Sequence, residues 1–190
     1  MVGCGNSTLS AELHQEGYSV TSIDFSEVVI QEMQSRHPEM EWELMDMTQM
    51  SYPGGSFDAV VDKGSLDALM SEDSEAVSLK ASAFFAEINR VLTDSGVYLL
   101  VSLGQEHILQ ALFDFFSEEL FSLEVTLVHQ LRANPLVPFV FAIHRRRGGP
   151  RLFFDCMGAE LPEGRALAQS EAIDQVPPFP KALFVTHFLR

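Results

Sequence analysis

Cysteine is nearly absent: Cys4 and Cys156 are the only two in 190 residues. Two thiols make no disulfide framework and are too few for a typical structural zinc site. No metal centre is expected, and a reducing compartment, the cytoplasm, is the default. Basic residues are also scarce. Twelve Lys and Arg face 27 Asp and Glu, a formal net charge of −15. Nucleic-acid binding draws much of its affinity from neutralising phosphates, so no RNA or DNA partner is expected. A basic protein surface suits this charge better, unless the acids merely keep the chain soluble. No apolar run approaches the ~18 residues of a membrane span, so none is expected. The amino terminus shows no basic stretch leading into an apolar one, so no secretory signal is read there.

What is present is apolar and aromatic. Hydrophobic residues make up 46% of the chain and 15 are Phe, enough for the core of one domain of common size. The chain is organised around its first twenty-five residues. Val2-Gly3-Cys4-Gly5-Asn6-Ser7 reads as the end of a buried strand and a glycine turn. A helix follows over about Thr8 to Glu16, and Gly17 stops it. Val20 to Ile23 is a short apolar strand with Asp24 at its end, nineteen positions after Gly5. That spacing suits a nucleotide-binding βαβ unit, in which glycines admit the ligand and an acid accepts bonds from ribose hydroxyls. The third glycine of the dinucleotide fingerprint is missing, because position 8 is Thr. No lysine stands in the glycine loop, which argues against a nucleoside triphosphate. If Gly3 ends a strand, only Met1 and Val2 precede it, so the first strand is expected to be truncated.

Strands and helices then alternate. Ser26 is a plausible N-cap for a helix through about Arg36, followed by Pro38. Trp42 to Met45 and Phe57 to Val61 read as strands, closing on Asp46-Met47 and Asp62-Lys63-Gly64. Ser65 to Met70 begins a short helix, Ser71 to Ser78 reads as a polar loop, and Leu79 to Leu92 is amphipathic. Asp94-Ser95-Gly96 turns the chain into a strand over Val97 to Leu103, and His107 to Phe116 reads as a helix. Phe121 to Val128 and Phe139 to His144 form a late pair without a helix between them, hence antiparallel. The expected fold is α/β: a doubly wound, Rossmann-like, mostly parallel sheet with an antiparallel late strand pair. Arg145-Arg146-Arg147-Gly148-Gly149-Pro150 reads as a boundary, its basic triplet either solvating a strand end or binding an acidic partner. This divides the chain into a domain over residues 1–147 and a tail, or the stub of a second module, over residues 148–190.

In a doubly wound sheet, ligands bind beyond the carboxyl ends of the strands, where the strand order reverses. Four polar clusters fall at such ends: Gly3 to Ser7, Asp24-Phe25, Asp46-Met47 and Asp62-Lys63-Gly64. Gly3 and Gly5 allow close backbone approach. Asp24 takes ribose hydroxyls, Phe25 and Met47 offer apolar faces to an adenine ring, and Asp46 accepts from its amine. Asp62 and Lys63 lie where a transferred group would be.

These stretches carry a resemblance. Val2 to Ser7, Ile23 to Ser26, Met45 to Thr48, Ser56 to Leu69 and Glu87 to Leu92 look like the seven-strand S-adenosylmethionine methyltransferases. The likeness is closest to the branch that modifies lysines of translation elongation factor 1A, and it covers about residues 2 to 144. The run Asp62-Lys63-Gly64-Ser65-Leu66-Asp67-Ala68-Leu69 is its most specific piece. The resemblance implies S-adenosylmethionine as cofactor, contacted by Gly3, Asp24, Phe25, Asp46, Met47 and Lys63. It implies in-line attack by a neutral lysine amine on the methyl group. A free lysine has a pKa near 10.4, so deprotonation at neutral pH costs about 4.6 kcal/mol, which burial of the amine must offset. Asp62 and Asp67 are candidates to orient the incoming ammonium and take its proton through water. A small-molecule acceptor, or a non-catalytic interaction domain that kept the fold, are the alternatives.

Overall fold

The computed structural model describes residues 1–116, 121–128, 138–145 and 152–157. The elements run α1 (Leu9–Gln15), β1 (Thr21–Asp24), α2 (Glu27–Arg36), β2 (Glu41–Leu44), β3 (Phe57–Lys63), α3 (Ser65–Leu69), α4 (Glu75–Val91), β4 (Leu92–Ser102), α5 (Glu106–Phe115), β5 (Phe121–Val128), β6 (Phe139–Arg145) and β7 (Leu152–Met157). β1 pairs in parallel with β2, and β3 in parallel with β4. The segment Met1–Cys4 joins these two halves. Val2 bridges Ile23 on one side and Asp62 on the other, both in parallel. Val2 donates to Val61 O at 3.0 Å, Cys4 to Ile23 O at 3.0 Å, and Ile23 to Met1 O at 2.9 Å. The short stretch ahead of Gly3 thus holds the central position of the sheet. The chain leaves it toward β1 and β2 on one side and returns to β3 and β4 on the other. The turn after Val2 is therefore the point where strand order reverses.

β6 lies antiparallel between β4 and β5, as the late strand pair led us to expect. β7 adds a strand parallel to β5, with Leu123 opposite Leu152 and Val128 opposite Met157. It grows from the apolar run Leu152 to Phe154. Among the described residues no helix is long and apolar enough to cross a membrane.

Local chemistry sets most boundaries. Ser26 caps α2, its hydroxyl accepting the Val29 N–H at 3.4 Å, and Glu27 sits in the positive first turn. Two expectations need correction. Residues 71–78 are not all loop, because Ser74 accepts the Val77 N–H at 3.4 Å and starts α4 at Glu75. Asp94-Ser95-Gly96 does not separate a helix from a new strand. β4 already begins at Leu92 opposite Phe57, and Val97 is opposite Ala59, so residues 93–96 bulge out of the ladder between them.

The core fills the space between the sheet and α4 and α5. Phe84, Phe85, Ile88, Tyr98, Leu100, Ile108 and Leu112 are all at most 1% exposed. The phenylalanine excess serves this layer. Phe84 meets Tyr98 edge-on at 6.1 Å, Phe85 meets Phe116 at 5.2 Å, and Phe116 meets Phe121 at 5.0 Å. Such pairs add about 0.5–1.5 kcal/mol each beyond the area they bury. Of the basic triplet, Arg145 is tied inward, donating to Asn89 O at 3.2 Å and Leu92 O at 3.3 Å. Arg146 and Arg147 lie outside the described residues.

Candidate functional site

The site begins with the glycine turn. Gly3 and Gly5 both have φ of +53°, a conformation that costs other residues about 1–2 kcal/mol. The two differ in what surrounds them. A Cβ on Gly5 would meet nothing within 4 Å, so this side of the turn faces open space. A Cβ on Gly3 would fall 2.3 Å from the Ser65 Oγ. The space at Gly3 is filled from within the protein, not left for a ligand, which changes the reason a glycine is needed there.

Asp24 stands at the end of β1, 7% exposed. Its Oδ2 accepts the Gly5 N–H at 2.9 Å and its Oδ1 accepts the Ser26 N–H at 2.9 Å. The carboxylate thereby ties the glycine turn to the start of α2. Phe25 follows and is 84% exposed. Met45 donates its N–H to Asp24 O at 3.0 Å, which brings the β2 end alongside. There Asp46 is exposed, its Oδ1 accepting from Thr48 N and Thr48 Oγ1 at 2.8 Å each, and Met47 is half-buried. Lys63 is exposed at the end of β3. The residues picked from the sequence, Gly3, Gly5, Asp24, Phe25, Asp46, Met47 and Lys63, thus stand at the carboxyl ends of three strands and on the turn between them.

The two candidate acids of the Asp62 to Leu69 run behave differently from one another. Asp62 is fully buried. Its Oδ1 accepts the Ser65 N–H at 2.7 Å, and its Oδ2 accepts the Leu66 N–H at 3.1 Å and the Tyr98 hydroxyl at 3.1 Å. Burial outweighs these donors and pushes its pKa up to about 6. The Tyr98 phenol is pushed well above its usual range by its own burial and by the Asp62 charge. Asp67 is half-buried, its Oδ1 accepting from Ser102 Oγ and Leu103 N at 3.0 Å each. It fastens the loop after β4. Cys4, inside the glycine turn, is 2% exposed, and burial followed by the nearby Asp24 charge pushes its thiol up to about 11.

Sequence reasoning missed Ser65, Tyr98 and Ser102. The only signal for the first was its place inside the Asp62 to Leu69 run. Two hollows open elsewhere on the described surface, about 600 Å³ beside Trp42 and Pro38, and about 690 Å³ beside His107 and Asp114. Neither is lined by any residue predicted to hold the ligand.

Residues 1–96 match the family described as a methyltransferase domain. The chain belongs to this family. Among curated methyltransferases, it is 45% identical over 124 residues to the "eEF1A lysine and N-terminal methyltransferase" of Bos taurus, covering 63% of this chain and 18% of that protein. It is 35% identical over 117 residues to "EEF1A lysine methyltransferase 4" of Bos taurus, covering 56% of this chain and 46% of that one. The chain therefore spans under a fifth of the length of the first of these relatives. Among solved methyltransferase structures, the N-methyltransferase NodS of Bradyrhizobium japonicum superposes with a TM-score of 0.61 at 17% identity, covering 77% of this chain and 76% of that one. A methyltransferase of Methanosarcina mazei superposes with a TM-score of 0.60 at 19% identity, covering 76% and 90%. At such identities these two speak for the fold alone, an α/β Rossmann-like methyltransferase fold.

Proposed function

We propose that this chain transfers a methyl group from S-adenosylmethionine to a lysine of a basic protein, translation elongation factor 1A, in the cytoplasm. The observation that carries the reading is the linked rim in a chain of this family: Asp24 joined to Gly5, Ser26 and Met45, with Phe25, Asp46, Met47 and Lys63 beside it. The residues suit an adenosyl ligand. Each Asp24 oxygen accepts one backbone N–H, and a carboxylate has about four acceptor sites, so capacity remains for ribose hydroxyls. Gly5 leaves room for backbone approach. Phe25 and Met47 present apolar surface to adenine, Asp46 suits its amine, and Lys63 borders the reacting end. Bound there, S-adenosylmethionine would supply a methyl group activated by its sulfonium.

The chain's own contribution is binding, orientation and charge. The charge of −15 draws a basic acceptor toward the protein. Asp67, held by Ser102 and Leu103, is the candidate to steer the incoming ammonium. Asp62 acts from inside, through α3. The unit that does this is residues 1–147, and of the tail over residues 148–190 the described strand β7 pairs with β5. Lysine is favoured as acceptor because the relatives' names share it.

The test is incubation of the full chain with methyl-labelled S-adenosylmethionine and elongation factor 1A, with the labelled residue located by mass spectrometry. Label on a lysine is expected. Asp24→Ala removes a charged acceptor and is expected to weaken cofactor binding about a hundredfold. A chain that binds cofactor yet labels only small-molecule acceptors would refute the protein substrate.

A further inference from the structure

The Asp62 to Leu69 run is the most specific stretch of the sequence, yet little of it faces the rim. Its inner side touches the glycine turn instead. The Ser65 hydroxyl lies 2.9 Å from Val2 O and 3.1 Å from Gly3 O, one proton serving two carbonyls. Ser65 is itself 9% exposed. Its own place is fixed twice over. Its N–H is held by the buried Asp62, and Asp62 is held by the Tyr98 hydroxyl on β4. Gly64 donates its N–H to Val101 O at 3.0 Å, which anchors the same corner to β4. A continuous path of hydrogen bonds therefore runs from Tyr98 through Asp62 and Ser65 to the backbone of the glycine turn. The close approach at Gly3 belongs to the same contact, since the missing side chain is what lets the Ser65 oxygen reach these carbonyls.

We propose that Ser65 is a positioning residue for the cofactor, setting the height and tilt of the glycine turn without touching the ligand. The proposal rests on the reading of the rim as the S-adenosylmethionine site. Two carbonyls pinned from below leave the Gly5 side of the turn pointing outward, the side on which a Cβ would meet nothing. Without the hydroxyl, Val2 O and Gly3 O lose a buried donor, and the turn relaxes toward other partners. Binding then falls because the turn must be re-formed each time. Asp62 belongs to this device and not to the reacting group.

The experiment is calorimetric titration of the full chain with S-adenosylhomocysteine, alongside steady-state kinetics. In Ser65→Ala the dissociation constant and the cofactor KM are expected to rise about tenfold, with kcat at saturation within about twofold and the acceptor KM unchanged. Ile88→Val, a core change on α4 at a side chain that makes no hydrogen bond to the turn, lowers thermal stability and is expected to leave the dissociation constant alone. That contrast separates positioning from a general loss of stability. Ser65→Cys, which keeps the shape but donates weakly, is expected to fall between wild type and alanine, and it carries the test should Ser65→Ala not fold. Wild-type affinity in either variant would overturn the proposal while leaving the rim reading intact. A parallel loss in Ile88→Val would overturn it too. Absence of binding by the wild-type chain would instead overturn the rim reading, and this proposal with it.

Discussion

Consider Asp62→Asn, which removes one buried charge and keeps nearly the same shape. In the folded chain the carboxyl titrates at about 6, against an ordinary value of 3.8, because its burial penalises the ionised form. The folded state thus holds the proton more tightly than the unfolded one. Stability from this group is fully present below about pH 4 and is lost as pH rises through 6. The whole difference is 2.2 pH units at 1.36 kcal/mol each, about 3 kcal/mol. Of its titratable neighbours, Tyr98 has a raised pKa and stays neutral across this window, whereas the Met1 amino group, pushed down to about 6 by burial, feels the Asp62 charge and titrates with it. The chain's pI of about 4.6 makes low pH unsuitable for folding measurements. Between about pH 5 and pH 8 the expected loss is about 1 kcal/mol. Asparagine cannot ionise, but it sacrifices an acceptor for the Leu66 or Tyr98 donor, at a cost of about 1–3 kcal/mol at every pH. The test is urea unfolding of both proteins at several pH values, taking the difference between them. That difference should shift by about 1 kcal/mol in favour of the variant as pH rises from about 5 to 8. Parallel curves would show that Asp62 is ionised throughout, and that its three donors outweigh its burial.

Two further outcomes follow from other parts of the molecule. At pH 8, a thiol with pKa about 11 is ionised to about one part in a thousand, so folded Cys4 should alkylate over a hundredfold more slowly than in urea; equal rates, read by mass spectrometry of the Cys4 peptide, would place the glycine turn in solvent. Phe84→Ala empties a fully buried ring site in the aromatic layer and should cost about 3–5 kcal/mol in urea unfolding; a loss below about 1 kcal/mol would mean that the α4 layer is not the core.

Most of the fold was legible because its signals are local. Caps at Ser26 and the stop at Gly17 act within a turn or two of the residues they govern. What escaped were features decided at a distance. Ser74 looks like any loop serine until its hydroxyl meets the Val77 N–H. Residues 93–96 form a turn in sequence, but whether the strand survives it depends on β3, over thirty residues earlier. At the site, the spacing of Asp24 after Gly5 foretold that the two meet, and its carboxylate accepts the Gly5 N–H. Asp62 was harder. A carboxylate at a strand end looks like a rim group, yet alternation puts it on the face of Val60, which is buried. Gly3 was read as clearance for a ligand. Its partner is Ser65, sixty-two positions away, and no pattern in one sequence links the two.

That pairing of an absent side chain with a distant hydroxyl bears on anyone reshaping this protein. Positions 3 and 65 form a single fitted joint. Grafting a glycine loop from another methyltransferase would import only half of it, and the graft would need its matching residue at position 65 to seat.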